Sequence, residues 1–288
     1  MTKEQALQWE AKWARPAALA AFFAAVLLIA QIVLLQTVIE DRPDIEAIPD
    51  FLLSVDENPA MLIGSRAAQA VAALLVGAVF YYLFRALQTR GAGVPSWFKY
   101  LIILGPVLYA IGLVAGALGQ VDVASQFADG TPIRDEAGDD RAEQLLEDNA
   151  SAGVFAINFA GQVVTAFLFV MLPLRARRVG LMSPFMGILG VVAGALLVLQ
   201  IVPVVPVIIQ AFWLGALGLL IIGNWPGGRG PAWESGEAEP WPTPQRRGGA
   251  PPPEEGNGQG GSLLGPTNGH EPEPVPERPS SRKRKRNR

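Results

Sequence analysis

Several polar side chains interrupt stretches that are otherwise almost wholly apolar: Gln31, Arg66, Gln69, Asn158, Gln162 and Gln210, with Gln120 and Gln200 nearby in the same register. An amide both donates and accepts hydrogen bonds, and a guanidinium offers five donors and no acceptor. Arg66 and Gln69 are three residues apart, and Asn158 and Gln162 four apart, so each pair shares one helix face. Two kinds of chemistry follow. In the first, the amides are interhelical glue, each contact contributing ~0.6 to 2 kcal/mol in lipid. In the second, they line a polar pocket that holds a ligand, with Arg66 as its charged contact. The sequence favours glue, because Arg66 lies near a helix end, where it can snorkel to water or pair with Asp56 or Glu57.

Other chemistry is poorly supplied. There is no cysteine, which excludes disulfides, thiolate nucleophiles and cysteine metal sites. The one histidine, His270, lies far from the apolar body and removes the commonest base and metal ligand from it. Ser65 sits between Gly64 and Arg66 with no histidine or lysine in the apolar body to activate it. The acidic run D-G-T-P-I-R-D-E-A-G-D-D lacks the ligand alternation of a calcium-binding loop. Nucleotide-loop, zincin and nucleophile-elbow motifs are missing. The expectation is no catalytic residue, no metal and no cofactor.

The elements that must position the polar layer are membrane spans. Half of the 288 residues are apolar and 17% are charged, and several apolar runs reach the ~20 residues needed to cross a bilayer. The fold class expected is all-α, a polytopic membrane helix bundle. Six transmembrane helices are read at about 16–38, 61–84, 98–118, 152–173, 184–202 and 207–223, each offering an amide in one half. Residues 1–15, with Trp9 and Trp13 one turn apart, read as an amphipathic lead-in lying on the membrane surface. Asn58–Pro59 reads as a helix start. Ile48–Val55 and Asp139–Asp148 read as short surface helices. Gly105, Gly112, Gly116 and Gly119 form a small-residue stripe for close helix packing. Gln69 precedes Arg85 by sixteen residues and Gln162 precedes Arg178 by sixteen, so the three hairpins are candidate repeats.

Charge sets the sides. The connections at 39–60 and 119–151 together carry sixteen acids against three bases, whereas the 1–15, 85–99 and 174–183 stretches each hold three Lys or Arg. Basic stretches stay on the cytoplasmic side, so both termini are expected there and the acidic connections outside. Residues 225–288 turn to Pro, Gly and Glu and read as a disordered cytoplasmic tail. It ends in Arg282, Lys283, Arg284, Lys285, Arg286 and Arg288, a cluster suited to anionic lipid of the inner leaflet; no nucleic acid is expected.

The segments E-N-P-A-M-L-I-G-S-R-A-A-Q-A, F-Y-Y-L-F-R-A-L-Q-T-R and P-S-W-F-K-Y resemble bacterial multi-pass integral membrane proteins of the DUF4386-like kind, over about residues 15–223. The resemblance implies a helical bundle in a bacterial inner membrane and carries no activity. The functional expectation is a non-enzymatic scaffold or partner-binding subunit, its tail recruiting a protein partner. The alternative is a small-molecule or ion transporter using the amide layer.

Overall fold

A computed structural model describes residues 2–40, 48–130, 136–199 and 204–241, all helix and connecting turns with no strand among them. The long helices are α1 (Lys3–Glu40), α3 (Pro59–Thr89), α4 (Phe98–Asp129), α6 (Ala152–Arg178) and α8 (Val204–Ile222). All five are long and apolar enough to cross a membrane. The remaining apolar helix, α7 (Pro184–Leu199), has 16 residues. At ~1.5 Å per residue that is ~24 Å, less than the hydrocarbon thickness of ~30 Å. Residues 200–203, which the expected fifth span includes, lie outside the described residues together with Gln200.

The helices form a closed ring. α1 packs on α3, α3 on α4, α4 on α6, α6 on α7, α7 on α8 and α8 back on α1, while α3 and α6 also touch across the middle. Outward faces are apolar: Leu19, Phe23, Val26 and Val33 follow the three-and-four step along α1 and stay exposed, as do Ile103, Leu104 and Ile111 on α4. Such stripes are what a lipid-facing helix presents. Close approach is made possible by missing side chains. A Cβ on Gly112 would lie 2.5 Å from the Asn158 Cα, and one on Gly194 2.7 Å from the Ala166 carbonyl oxygen. Gly77 leaves room for the ring of Pro106, whose position inside α4 frees the Ile102 carbonyl.

Two short helices lie over one end of the ring, on its α1–α3–α4 side. α2 (Ile48–Glu57) and α5 (Glu136–Asp148), the two surface helices expected in the acidic connections, cover it through a separate apolar cluster. Leu52 and Val55 meet Leu62, Val123, Ala124, Phe127 and Ala142 there. Asn58 takes the cap position of α3 with Pro59 behind it, although its side chain makes no capping bond. Ser151 caps α6 by accepting from the Val154 amide at 3.3 Å.

The opposite end departs from expectation twice. Residues 1–15 are not a separate surface helix, because α1 runs through Pro16 without interruption. Pro16 costs one bond to the carbonyl of exposed Lys12, and the first turns are propped by tertiary contacts. Residues 225–241, expected to belong to a disordered tail, are ordered and contain α9 (Pro231–Ser235). The reason is local: Trp225, Trp233 and Trp241 supply apolar surface that the average composition conceals, and Trp233 is 3% exposed. Trp9 stacks on Tyr82 at 5.7 Å, Tyr82 on Trp233 at 5.7 Å, and the Trp233 indole N–H donates to the Leu181 carbonyl at 2.9 Å.

Arg90 is the centre of this end. Its guanidinium forks onto Glu10, Nη1 to Oε1 at 2.6 Å and Nη2 to Oε2 at 2.9 Å. Nε and Nη2 also donate to the Ala232 carbonyl, and Nη1 to that of Ala86. Every donor of the fork is used, which a buried pair requires to offset its desolvation. Nearer the surface, Lys3 donates to Glu237 at 2.6 Å and holds that exposed carboxyl below its ordinary pKa.

Candidate functional site

Most of the polar residues read from the sequence meet at the end of the ring that carries α2 and α5. α3 supplies Arg66 and Gln69, and Arg66 Nη1 donates to Gln69 Oε1 at 3.3 Å. Gln69 Nε2 in turn donates to the Tyr109 hydroxyl of α4 at 3.1 Å, which fixes the amide's orientation. Since that hydroxyl accepts from Gln69, its own proton is left to donate. Gln31 is carried by α1 and buried, and its backbone carbonyl accepts from the Ser65 hydroxyl at 3.1 Å, tying α1 to α3. Ser65 is therefore a helix tie. Asn158 comes from α6 and Gln210 from α8.

These groups surround a cavity of about 780 Å³. Gln31, Arg66, Gln69, Gln120, Asn158 and Gln210 all line it, and so does the exposed α5–α6 junction at Asn149–Ser151. Gln162 does not. It is buried and donates to the Leu197 carbonyl at 2.6 Å, satisfying one of the orphan acceptors in the last turn of α7. The polar layer is thus divided: Gln162 is glue, and the others border open space.

The charge pattern is one-sided. Arg66 makes no ion pair with Asp56 or Glu57, and among the described residues lining the cavity there is no carboxylate. Gln210 is 6% exposed, and its Nε2 has no hydrogen-bond partner. A buried donor left unmet costs about 1–3 kcal/mol. Beneath lies a small void of about 20 Å³, bordered by Gln69, Tyr109, Gln210, Thr165 and Phe169. That is room for a single water.

Below the void the bundle is sealed by aromatic rings. Phe80 packs edge-on against Phe169 at 4.8 Å, and Phe169 against Trp213 at 5.3 Å. All three are fully buried, and the Trp213 indole N–H is fixed on the Met186 carbonyl at 2.9 Å. The site is a cup, polar at its wall and closed by an aromatic floor.

Two contributors were hidden in the sequence. Nothing in the sequence singles out Tyr109 within its apolar run. Gly116 and Gly119, read as packing glycines with Gly105 and Gly112, face open space, and Cβ atoms there would meet nothing within 4 Å. Their three-residue step one turn beyond the α6 contact is the only trace that sequence alone offers. Among the described residues, no three His, Cys, Asp or Glu side chains stand close enough to hold a metal ion. The basic cluster Arg282, Lys283, Arg284, Lys285, Arg286 and Arg288 lies outside the described residues.

No protein-family model, no curated protein and no solved structure matches the chain.

Proposed function

We propose that this membrane protein is a solute carrier of a bacterial inner membrane, with six spans, cytoplasmic termini and a cavity open to the outer, acidic side. The carrying observation is the cup itself. Wall groups from α1, α3, α4, α6 and α8 border about 780 Å³ of space, within the range that holds a small molecule, and the aromatic floor separates it from the other end. Orientation rests on the distribution of Lys and Arg, and the bacterial membrane on the sequence resemblance. The competing reading, a non-enzymatic scaffold whose tail recruits partners, has no use for a cavity with an unmet buried donor. No enzymatic step is proposed: the Ser65 hydroxyl is engaged by the Gln31 carbonyl, and no base stands beside it.

Carriage requires the floor to part while the mouth closes, and the floor is where α3, α6 and α8 meet. The basic tail, where it reaches the inner leaflet, would serve as an anchor at ~1 kcal/mol per base.

The absence of cysteine makes the test direct. Gly116→Cys in intact cells should react with a membrane-impermeant thiol reagent, whereas Leu172→Cys, at a fully buried position, should stay unmodified. An unreactive Gly116→Cys in folded protein would sink the carrier reading.

A further inference from the structure

We infer that the cavity takes an organic monoanion: a carboxylate or phosphate group held at its base by Arg66, Tyr109 and Gln210, with an apolar body along Leu113, Leu197 and Val207. The inference rests on the cup being a binding site and names the class of its ligand.

Three observations point to an anion. Among the described residues, the lining holds one permanent cation, Arg66, and no acidic side chain. Arg66 spends one of its donors on Gln69 Oε1 and pairs with no carboxylate among the described residues, which leaves most of its fork for a ligand. A guanidinium in that condition pairs best with a carboxylate or phosphate, whose oxygens match its fork. Gln210, nine-tenths buried and with no partner for its Nε2, is a second donor-bearing side chain that borders the same space. The Gln69–Tyr109 bond adds a third by leaving the phenolic proton to donate. Gln69, Tyr109 and Gln210 border both the cavity and the small void under it, which places them together at the bottom.

The rest of the lining says what is attached to the anion. Leu35, Leu113, Val123, Leu197, Pro206 and Val207 are apolar and outnumber the three donors assigned to the anion, Arg66, Tyr109 and Gln210. A bare inorganic ion would leave most of the volume unfilled, and it would meet the exposed acids Asp122, Glu147 and Asp148, which neighbour the lining residues Val123, Leu146 and Asn149 in the chain. A ligand with an apolar body gains from burial at ~25 cal/mol per Å², which offsets that repulsion. Such a group can come from solution, as a medium-chain carboxylate, or from the bilayer, as an acidic phospholipid headgroup. The donor array serves both.

The probe is radiolabelled octanoate, with the full-length protein in nanodiscs of zwitterionic lipid. Saturable binding should appear and should fall at least tenfold in Arg66→Gln, while Arg66→Lys recovers part of it. Octylamine should not compete. Inorganic phosphate should compete only weakly. Should Arg66→Gln fail to fold, Gly116→Leu fills open space without touching a charge and should also block octanoate. If nanodiscs containing phosphatidylglycerol abolish octanoate binding, the anion is a lipid headgroup; if they leave it unchanged, it is a free solute. Either outcome keeps the inference. It is overturned if octanoate does not saturate in any lipid and phosphatidylglycerol adds no thermal protection. It is equally overturned if Arg66→Gln binds as tightly as the native protein, or if octylamine competes as well as octanoate does. A reactive Gly116→Cys combined with absent anion binding would defeat this assignment and leave the carrier reading standing.

Discussion

One turn of α4 separates Gly112 from Gly116, and a methyl group added at each meets opposite surroundings. At Gly112 it runs into the backbone of Asn158, which cannot swing aside as a side-chain tip would. Forcing that contact should cost ~1–3 kcal/mol. Gly116→Ala meets nothing, and removing a helix-interior glycine should leave stability unchanged or raise it by up to ~1 kcal/mol. Unfolding of the two variants by SDS titration checks the contrast, and a loss of similar size in both would mean that the upper part of α4 is packed after all. The sequence shows four glycines at equivalent steps and cannot tell these two apart, because what separates them is α6 leaning away from α4 above Asn158. The amides behave similarly. Their shared depth is legible from residue type and spacing, yet whether each finds a carbonyl, as Gln162 does, or faces a cavity, as Gln210 does, depends on the neighbour's register.

Helix periods and boundary signals carried most of the element scale. The apolar runs became long helices, and the two short helices in the acidic connections were readable from their patterned leucines among acids. The basic end was not. Trp9 reads as a residue at headgroup level, and Arg85 and Arg90 as charges of a cytoplasmic connection, roles that need no partner. In the fold, Arg85 lies over the Trp9 ring at 5.4 Å, and Arg90 over Trp233 at 5.3 Å while also binding Glu10. Partners 80 and 142 residues away leave no local signal. The energetic consequence is testable. Glu10→Ala strands the Arg90 charge at 0% exposure and should destabilise by ~3–5 kcal/mol. Replacing Glu10 by Leu and Arg90 by Met together should cost clearly less than the two single changes add up to, because no charge is then left buried alone. Additive losses in that cycle would show the pair to be uncoupled.

At the scale of the molecule the ring has two unlike ends. One holds a cup under two small helices. The other is cinched by residues 225–241, which touch α1 through Lys3–Glu237, α3 through Arg90 and the α6–α7 turn through Leu181. A chain ending after Thr243 should therefore melt with the intact protein. One ending after Asn224 loses Trp233 and the Ala232 carbonyl, and should lose ~3–5 kcal/mol, the scale of deleting a buried tryptophan. Thermal melts of the three lengths in one detergent decide it, and equal melting of all three would show that the segment is ornamental.

The position of Ala232 along the chain also sets a schedule. Arg90 leaves the ribosome 142 residues before the carbonyl that takes two of its donors. At ~5–20 residues per second, that is a delay of roughly 7–30 seconds. During it α1 and α3 can pair through Glu10, while the two donors that later reach Ala232 must lean on water. The basic end is then hydrated through most of synthesis and becomes dry only when the last ordered turn arrives. Closure of this end thus waits on translation, and a half-made chain remains distinguishable from a finished one by the water around a single guanidinium.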